Sequence, residues 1–443
     1  MQDLAVETQQ NTLSRNVWSE RTFLLFGGLT IFLLLVRDLG YFDVSKWIFV
    51  IIAVVVFALY DLNHMAIFTC FLIPLKVGIP GSYIFAAGLV ILIIKNLDWL
   101  LLSQYIWILV AIFMVELLSF IYGDFSIVDY IRFAAPLLVI ALLIFNGKDK
   151  FDYQRMLMYF LLGVAFAEAS VIWQSISVSG LENLISSGVR LGETSELLIE
   201  EGMRITFNPN GFAILCAMSI SMLLVFLSRP TNYKPVWASL LVFQIFVGSL
   251  SISRSFLVLL VAITLMFLLS RVKSARDFMK SLGMIVLVLI AAYFLIDHFS
   301  PSLFPSYVAR FSEADLSNKR LDITTSYFIA MEQEPDRLLL GVGLQNYPAK
   351  YGQEITSHNG IQEVLITWGI VGLILVTIFI CGIFAEGWRG VSRHHSQYLY
   401  MLPLLVLLIS IQPGQFFSSN IPFYLLPVFA TLRLAERENP MVT

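Results

Sequence analysis

The sequence predicts an all-α polytopic membrane protein with about 12–14 transmembrane helices and one large extracytoplasmic loop. Three observations predict it. The 443 residues are 58% hydrophobic and only 13% charged, with a mean hydropathy of +0.81. Ordinary soluble domains carry about 25% charged residues, so this chain lacks the polar surface to cover itself in water. Its apolar runs are continuous, without the alternation of a membrane barrel, and they recur between charged or Gly/Pro-containing breaks. The net charge of −3 gives no electrostatic footprint for nucleic acid.

The spans follow in order: 22–39, 47–60, 64–79, 81–95, 101–121, 126–146, 154–177, 209–228, 234–250, 254–270, 281–298, 360–386, 398–413 and 416–434. Each is judged against the roughly 20 residues needed to cross a bilayer; several are short, and tight joints near residues 60–80 leave the number at twelve to fourteen. Residues 1–21 are polar and read as a cytoplasmic tail, so the first apolar run is expected to stay as an anchor. Residues 435–443 form the other tail. Cys70, Cys216 and Cys381 sit in apolar runs without metal-ligand spacing and read as buried small hydrophobes.

Basic residues set the orientation. With a cytoplasmic N-terminus, Arg15, Arg21, Lys95, Lys148, Lys150, Arg155, Arg229, Lys234, Arg271, Lys273, Arg276, Lys280, Arg389, Arg393, Arg433 and Arg437 all fall inside. Two long loops, 178–207 and 299–359, then face outward, into the periplasm of a Gram-negative cell. The second is long for a structureless connection, and Ser302–Met331 is expected to hold one or two short helices.

Ionisable residues within spans are costly and mark function. Glu116, Asp129, Arg132, Glu168 and Arg254 all lie toward the outer side, with Arg204 just before the eighth span. Structural pairing, such as Asp129 with Arg132 three residues on, competes with a shared anion site. Asn208-Pro209-Asn210-Gly211 reads as a helix start, with asparagines that cap or bind polar ligands. Ser251-Ile252-Ser253-Arg254-Ser255 joins two spans with almost no loop. Its arginine either snorkels to the surface or clamps phosphate oxygens with hydroxyls and a helix start assisting. His358, followed by Asn359-Gly360 at the entry of a span, offers an imidazole able to take a proton from a sugar hydroxyl near neutral pH. No Asp-x-Asp occurs, so no metal or other cofactor is signalled.

Arg204 with Asn208-Pro209-Asn210-Gly211-Phe212-Ala213, the Ser-x-Ser-Arg hairpin at 251–254, Gly341-Val342-Gly343, and His358-Asn359 followed by Glu363 and Gly369-Ile370-Val371-Gly372 resemble the O-antigen ligase/polymerase superfamily. The order and spacing match over about residues 200–375; earlier spans match only as a hydropathy profile. The resemblance implies a type-C-like membrane glycosyltransferase in the bacterial inner membrane, with the large periplasmic loop capping the site. It implies a donor glycan on undecaprenyl pyrophosphate and an acceptor that is another glycan in polymerases or lipid A-core in ligases. A flippase and a chain-length regulator are the implied protein partners. By position, Arg204 and Arg254 would bind the pyrophosphate and His358 would activate the acceptor hydroxyl. Arg132 would be a third cation, and Asn208, Asn210, Ser253 and Asn359 would complete the substrate site. Polymerisation of a surface polysaccharide is the favoured reading and ligation the close alternative. A transporter is the alternative of another class, although the chain shows no repeated halves.

Overall fold

Continuous apolar stretches must satisfy their own backbone in lipid, and here they do so as helices. A computed structural model describes residues 2–75, 79, 81–95, 104–119, 127–147, 151–180, 190–191, 208–229, 233–270, 275–299, 301–312, 320–344, 347–391, 397–411 and 421–435, with the side chains of most of these from Glu20 onward. The first six helices are α1 (Gln2–Asp38), α2 (Lys46–Leu59), α3 (Leu62–Leu75), α4 (Gly81–Lys95), α5 (Gln104–Ser119) and α6 (Ile127–Gly147). Then come α7 (Tyr153–Ser179), α8 (Pro209–Ser228), α9 (Lys234–Ser249), α10 (Arg254–Leu269) and α11 (Ala275–Phe299). The long loop holds α12 (Leu303–Ser312), α13 (Arg320–Gln333), α14 (Arg337–Leu340) and α15 (Tyr347–Lys350). The chain closes with α16 (Gly360–Val391), α17 (Gln397–Tyr400), α18 (Leu402–Ile411) and α19 (Ile421–Leu434).

Every described helix of ten or more residues outside the long loop overlaps a span expected from the sequence, and the described residues contain no strand. Among them, Tyr153–Ser177, Pro209–Ser228 and Gly360–Trp388 are long and apolar enough to cross a membrane by length and composition. The protein is an all-α polytopic membrane protein. Its large exposed apolar residues, such as Val258, Val261, Leu265, Leu287 and Ile374, form the surface that lipid covers.

Helix α8 runs through the middle of the bundle and is buried along most of its length. It packs against α7, α9, α10 and α18, while α7 packs against α3 and α19. A Cβ at Gly163 would stand 2.4 Å from the Phe71 carbonyl oxygen, so only glycine lets α7 approach α3 this closely. Cys70 and Cys216 are buried, as expected. Cys381 is exposed, contrary to the sequence reading: α16 turns that side outward, where a thiol is as acceptable to lipid as any small apolar group.

Polar residues fasten the bundle internally. Near the start of α7, Arg155 grips Glu20 with two bonds of 2.9 and 2.7 Å, and His64 lies between Glu20 (3.0 Å) and Asp61 (2.6 Å). Deep between α7, α8 and α9, Glu168 accepts from the Cys216 thiol at 3.2 Å and from the Gln244 amide. Asp38 pairs with Arg37 at 2.7 Å and accepts from Ser170. Buried carboxylates persist only with such partners.

Candidate functional site

At one end of the bundle the starts of α8 and α10 are tied together. Asn208 caps α8, its side chain accepting from the Asn210 backbone N–H at 2.9 Å, with Pro209 in the first turn. Ser253 precedes α10, but its hydroxyl donates to the Asn210 side-chain oxygen at 2.8 Å and makes no capping bond. Asn210 therefore bridges two helix starts. The hairpin before α10 is strained: Ile252 adopts φ +46°, a left-handed conformation costly for a β-branched residue. Its backbone is held from outside, with Leu191 N–H donating to the Leu250 carbonyl at 2.9 Å, Arg190 to Ser251 at 3.3 Å, and the Tyr307 hydroxyl to Ser249 at 3.0 Å.

Arg254 is the first residue of α10, and its guanidinium lies 5.9 Å from the Phe311 ring centre. Arg320 opens α13 in the same way. A cation at a helix N-terminus opposes the helix dipole, so two of them concentrate positive potential and favour an anion. Burial first, and then repulsion from Arg254, push the Arg320 guanidinium below its ordinary value. His358 is half-buried, and burial first and Arg320 second hold its imidazole below the ordinary 6.5. Arg254, Arg320 and His358 thus form a chain of electrostatic neighbours drawn from three distant segments. Near pH 7 the imidazole is neutral, the form that accepts a proton.

His358 rides on a tightly fastened loop. Asn359 caps α16, its side-chain oxygen accepting from Ile361 N–H at 3.0 Å and Gln362 N–H at 3.3 Å. Ser357 donates its hydroxyl to Gln362 at 2.8 Å, and its N–H to the Tyr347 hydroxyl at 3.0 Å. Gln362 reaches the Thr324 carbonyl at 2.8 Å, and Tyr327 donates to the Ile355 carbonyl at 2.7 Å. The first contact joins the start of α16 to α13, and the second joins the loop to α13. A small apolar cluster of Tyr327, Met331, Val342, Tyr347, Tyr351 and Ile366 backs this unit.

The glycine motifs explain how the unit is fixed to the bundle. Gly369 breaks α16 with φ +65° and ψ −166°. The break removes the usual donors to the Ile366 and Thr367 carbonyls, and Val342 N–H (3.1 Å) and Gly343 N–H (2.8 Å) take their place. A Cβ at Gly341 would meet the Thr367 carbonyl at 2.3 Å, and one at Gly369 would meet that of Leu339 at 2.3 Å. The next residue, Leu344, donates its N–H to both Glu116 oxygens at 3.1 and 3.2 Å, and the Trp368 indole donates to the same carboxylate. Glu116 on α5 is therefore an anchor for the long loop, and Lys350 adds a bond to the Val342 carbonyl at 2.6 Å.

Of the residues singled out from the sequence, Arg254 and His358 each have Arg320 as an electrostatic neighbour, while Asn208, Asn210, Ser253 and Asn359 build the starts of α8, α10 and α16. Arg204 lies outside the described residues, as do the side chains of Asp129 and Arg132 on α6. Arg320 was not singled out. Its place at the start of α13, where the dipole disfavours a cation, emerges only from the structure.

No curated protein matches the chain. Residues 237–377 match the family model Wzy_C, described as O-antigen ligase. The matched stretch begins within α9, ends within α16, and contains Arg254, Arg320, the Gly341–Leu344 segment, His358 and the break at Gly369. It carries the chain's likeness to the O-antigen ligase/polymerase superfamily.

Proposed function

We propose that the protein is a membrane glycosyltransferase that moves a glycan from undecaprenyl pyrophosphate to an acceptor glycan at the periplasmic face, polymerising repeat units of a surface polysaccharide. The arrangement that carries this reading is Arg254 and Arg320, each the first residue of a helix and electrostatic neighbours of one another, with His358 beside Arg320. A sugar pyrophosphate is already activated. The protein must neutralise the charge that grows on the leaving oxygen and direct one hydroxyl.

Arg254 and Arg320 hold the pyrophosphate, with Arg204 and Arg132 as further cations around it. His358 takes the proton of the acceptor hydroxyl as its oxygen bonds to the anomeric carbon. The bond from that carbon to the pyrophosphate oxygen breaks, and undecaprenyl pyrophosphate leaves with the electron pair. The low basicity of His358 suits this work, because the imidazole is not already protonated near pH 7.

Ligation to lipid A-core is a second reading, favoured by the description of the family model that residues 237–377 match. Gene deletion separates the two: loss of a polymerase leaves single repeats, whereas loss of a ligase leaves core without polymer. The test of the shared chemistry is purified protein in nanodiscs with a lipid-linked glycan. His358→Ala and Arg254→Ala are expected to abolish transfer while inserting normally. Arg254→Lys keeps the charge and loses the two-pronged donor, and is expected to lose most of the rate. Full transfer by His358→Ala refutes the assigned base, and transport driven by an ion gradient without glycan transfer refutes the enzyme reading.

A further inference from the structure

Glu363 is the acidic residue of the first turn of α16, and the proposed transfer gives it no part. An acidic side chain there suits the helix dipole, and an exposed one would suffice for that. Glu363 is instead only 2% exposed. A carboxylate withdrawn from water needs hydrogen bonds from inside the protein.

One comes from Tyr347 in α15. The Tyr347 hydroxyl accepts from the buried Ser357 N–H at 3.0 Å, so its own proton needs an acceptor elsewhere. Glu363 is that acceptor. Burial first, and then the Glu363 charge, hold the Tyr347 phenol above its ordinary value, so it keeps the proton it donates. The neighbouring Tyr327 hydroxyl gives its proton to the Ile355 carbonyl at 2.7 Å instead. The bonds therefore run from Ser357 N–H to Tyr347 and on to Glu363. His358 is bracketed as a result. Asn359 on one side is fixed as the cap of α16, and Ser357 on the other is fixed by the phenol and its carboxylate.

We infer that Glu363 is a positioning residue for His358: its carboxylate fixes the Tyr347 hydroxyl, which holds the Ser357 N–H and so the placement of the imidazole one residue on. The role is that of a hydrogen-bond acceptor and not of a charge, because the groups that act on the imidazole are its burial and Arg320. The inference rests on His358 being the base of the proposed transfer and adds what holds that base in place.

The test uses the full-length protein in nanodiscs with two readouts. The first is carbethoxylation by diethyl pyrocarbonate across pH, followed by mass spectrometry on the peptide that contains His358. The reagent takes the neutral imidazole, so the pH midpoint reports the histidine without any need for turnover. The second is glycan transfer, resolved into kcat and KM. In the wild type the midpoint is expected below 6.5. Glu363→Leu is expected to move it up toward 6.5, because a loosened loop lets the imidazole leave burial and Arg320. The same variant is expected to lower kcat about ten- to a hundredfold at an unchanged KM for the lipid-linked donor. Glu363→Gln keeps an accepting oxygen and is expected to keep the midpoint and most of the rate. Tyr347→Phe keeps the ring in its apolar cluster and loses only the hydroxyl, so it carries the same two readouts should Glu363→Leu fail to insert. Combined with Glu363→Leu, it is expected to add little to either loss. A lower melting temperature with an unmoved midpoint, equal damage from glutamine and leucine, or additive losses in the double variant overturns the inference. A midpoint that moves in a protein without glycan transfer leaves the positioning and removes the enzyme. Transfer with a midpoint that Glu363→Leu does not move does the reverse.

Discussion

Replacing Glu116 with alanine tests whether a single carboxylate fixes the long loop to the bundle. The side chain accepts from the Leu344 N–H and the Trp368 indole, and it is 92% withdrawn from solvent, its exposure being 8%. Glu116→Ala leaves both donors without that acceptor in a site water does not reach. Each orphaned donor costs about 1–3 kcal/mol, so the pair costs about 2–6 kcal/mol. If that cost falls on local opening of the Val342–Leu344 segment, its amides exchange at least about 30-fold faster, since each 1.4 kcal/mol is a factor of about ten. Hydrogen exchange read by mass spectrometry on peptides covering 339–344 measures this. Glu116→Gln keeps one accepting oxygen and should fall between wild type and alanine. Because Val342 and Tyr347 belong to the cluster behind His358, glycan transfer should fall in the same order. Unchanged exchange in Glu116→Ala, or equal damage from glutamine and alanine, refutes the anchoring role.

Arg320→Gln removes the positive neighbour of His358, so the imidazole rises toward 6.5 and the acid limb of the transfer rate moves to higher pH. Burial, the larger cause, remains, and the shift is partial; a limb that does not move in a pH–rate profile separates the two groups. In folding the same depressed value acts with a definite sign. The contribution is fully present above 6.5 and is lost as pH falls through the folded value, and His358→Gln should flatten that acid loss in unfolding titrations. Gly369→Ala and Gly341→Ala each force a side chain into backbone 2.3 Å away at a positive φ, and should lower expression or melting temperature far more than Gly283→Ala, which meets nothing within 4 Å. Ser253→Ala removes the bond to Asn210 and should cost about 1 kcal/mol in thermal unfolding, with Asn210→Ala showing no full second loss once Ser253 is gone.

The spans were legible because lipid imposes a simple condition, unbroken apolar length, that composition records directly. Helix starts were legible to the residue where punctuation was strong, as at Asn208-Pro209, Ser253-Arg254 and Asn359-Gly360. The glycine motifs were visible as motifs at a loop–helix junction. Their meaning was not, because it lies in a backbone pairing between residues 342–343 and 366–367 that no local pattern encodes. Glu116 and Glu168 stood out as costly charges near one side, but the sequence could not say that each already had its donors. Arg320 has the opposite history. It sits in a polar stretch where an arginine attracts no notice, and only its neighbours Arg254 and His358 give it importance.

The interruption at Gly369 has a consequence for selectivity. The short helical stub Gly360–Trp368 is doweled to Val342 and Gly343 by main-chain atoms, so it can neither slide nor swivel without losing both pairs. The loop that carries His358 is therefore positioned by scaffold at the start of α16. Under the proposed transfer, the surface left free to vary is the open side of Arg320–Gln333, where Leu321, Phe328 and Ile329 face outward.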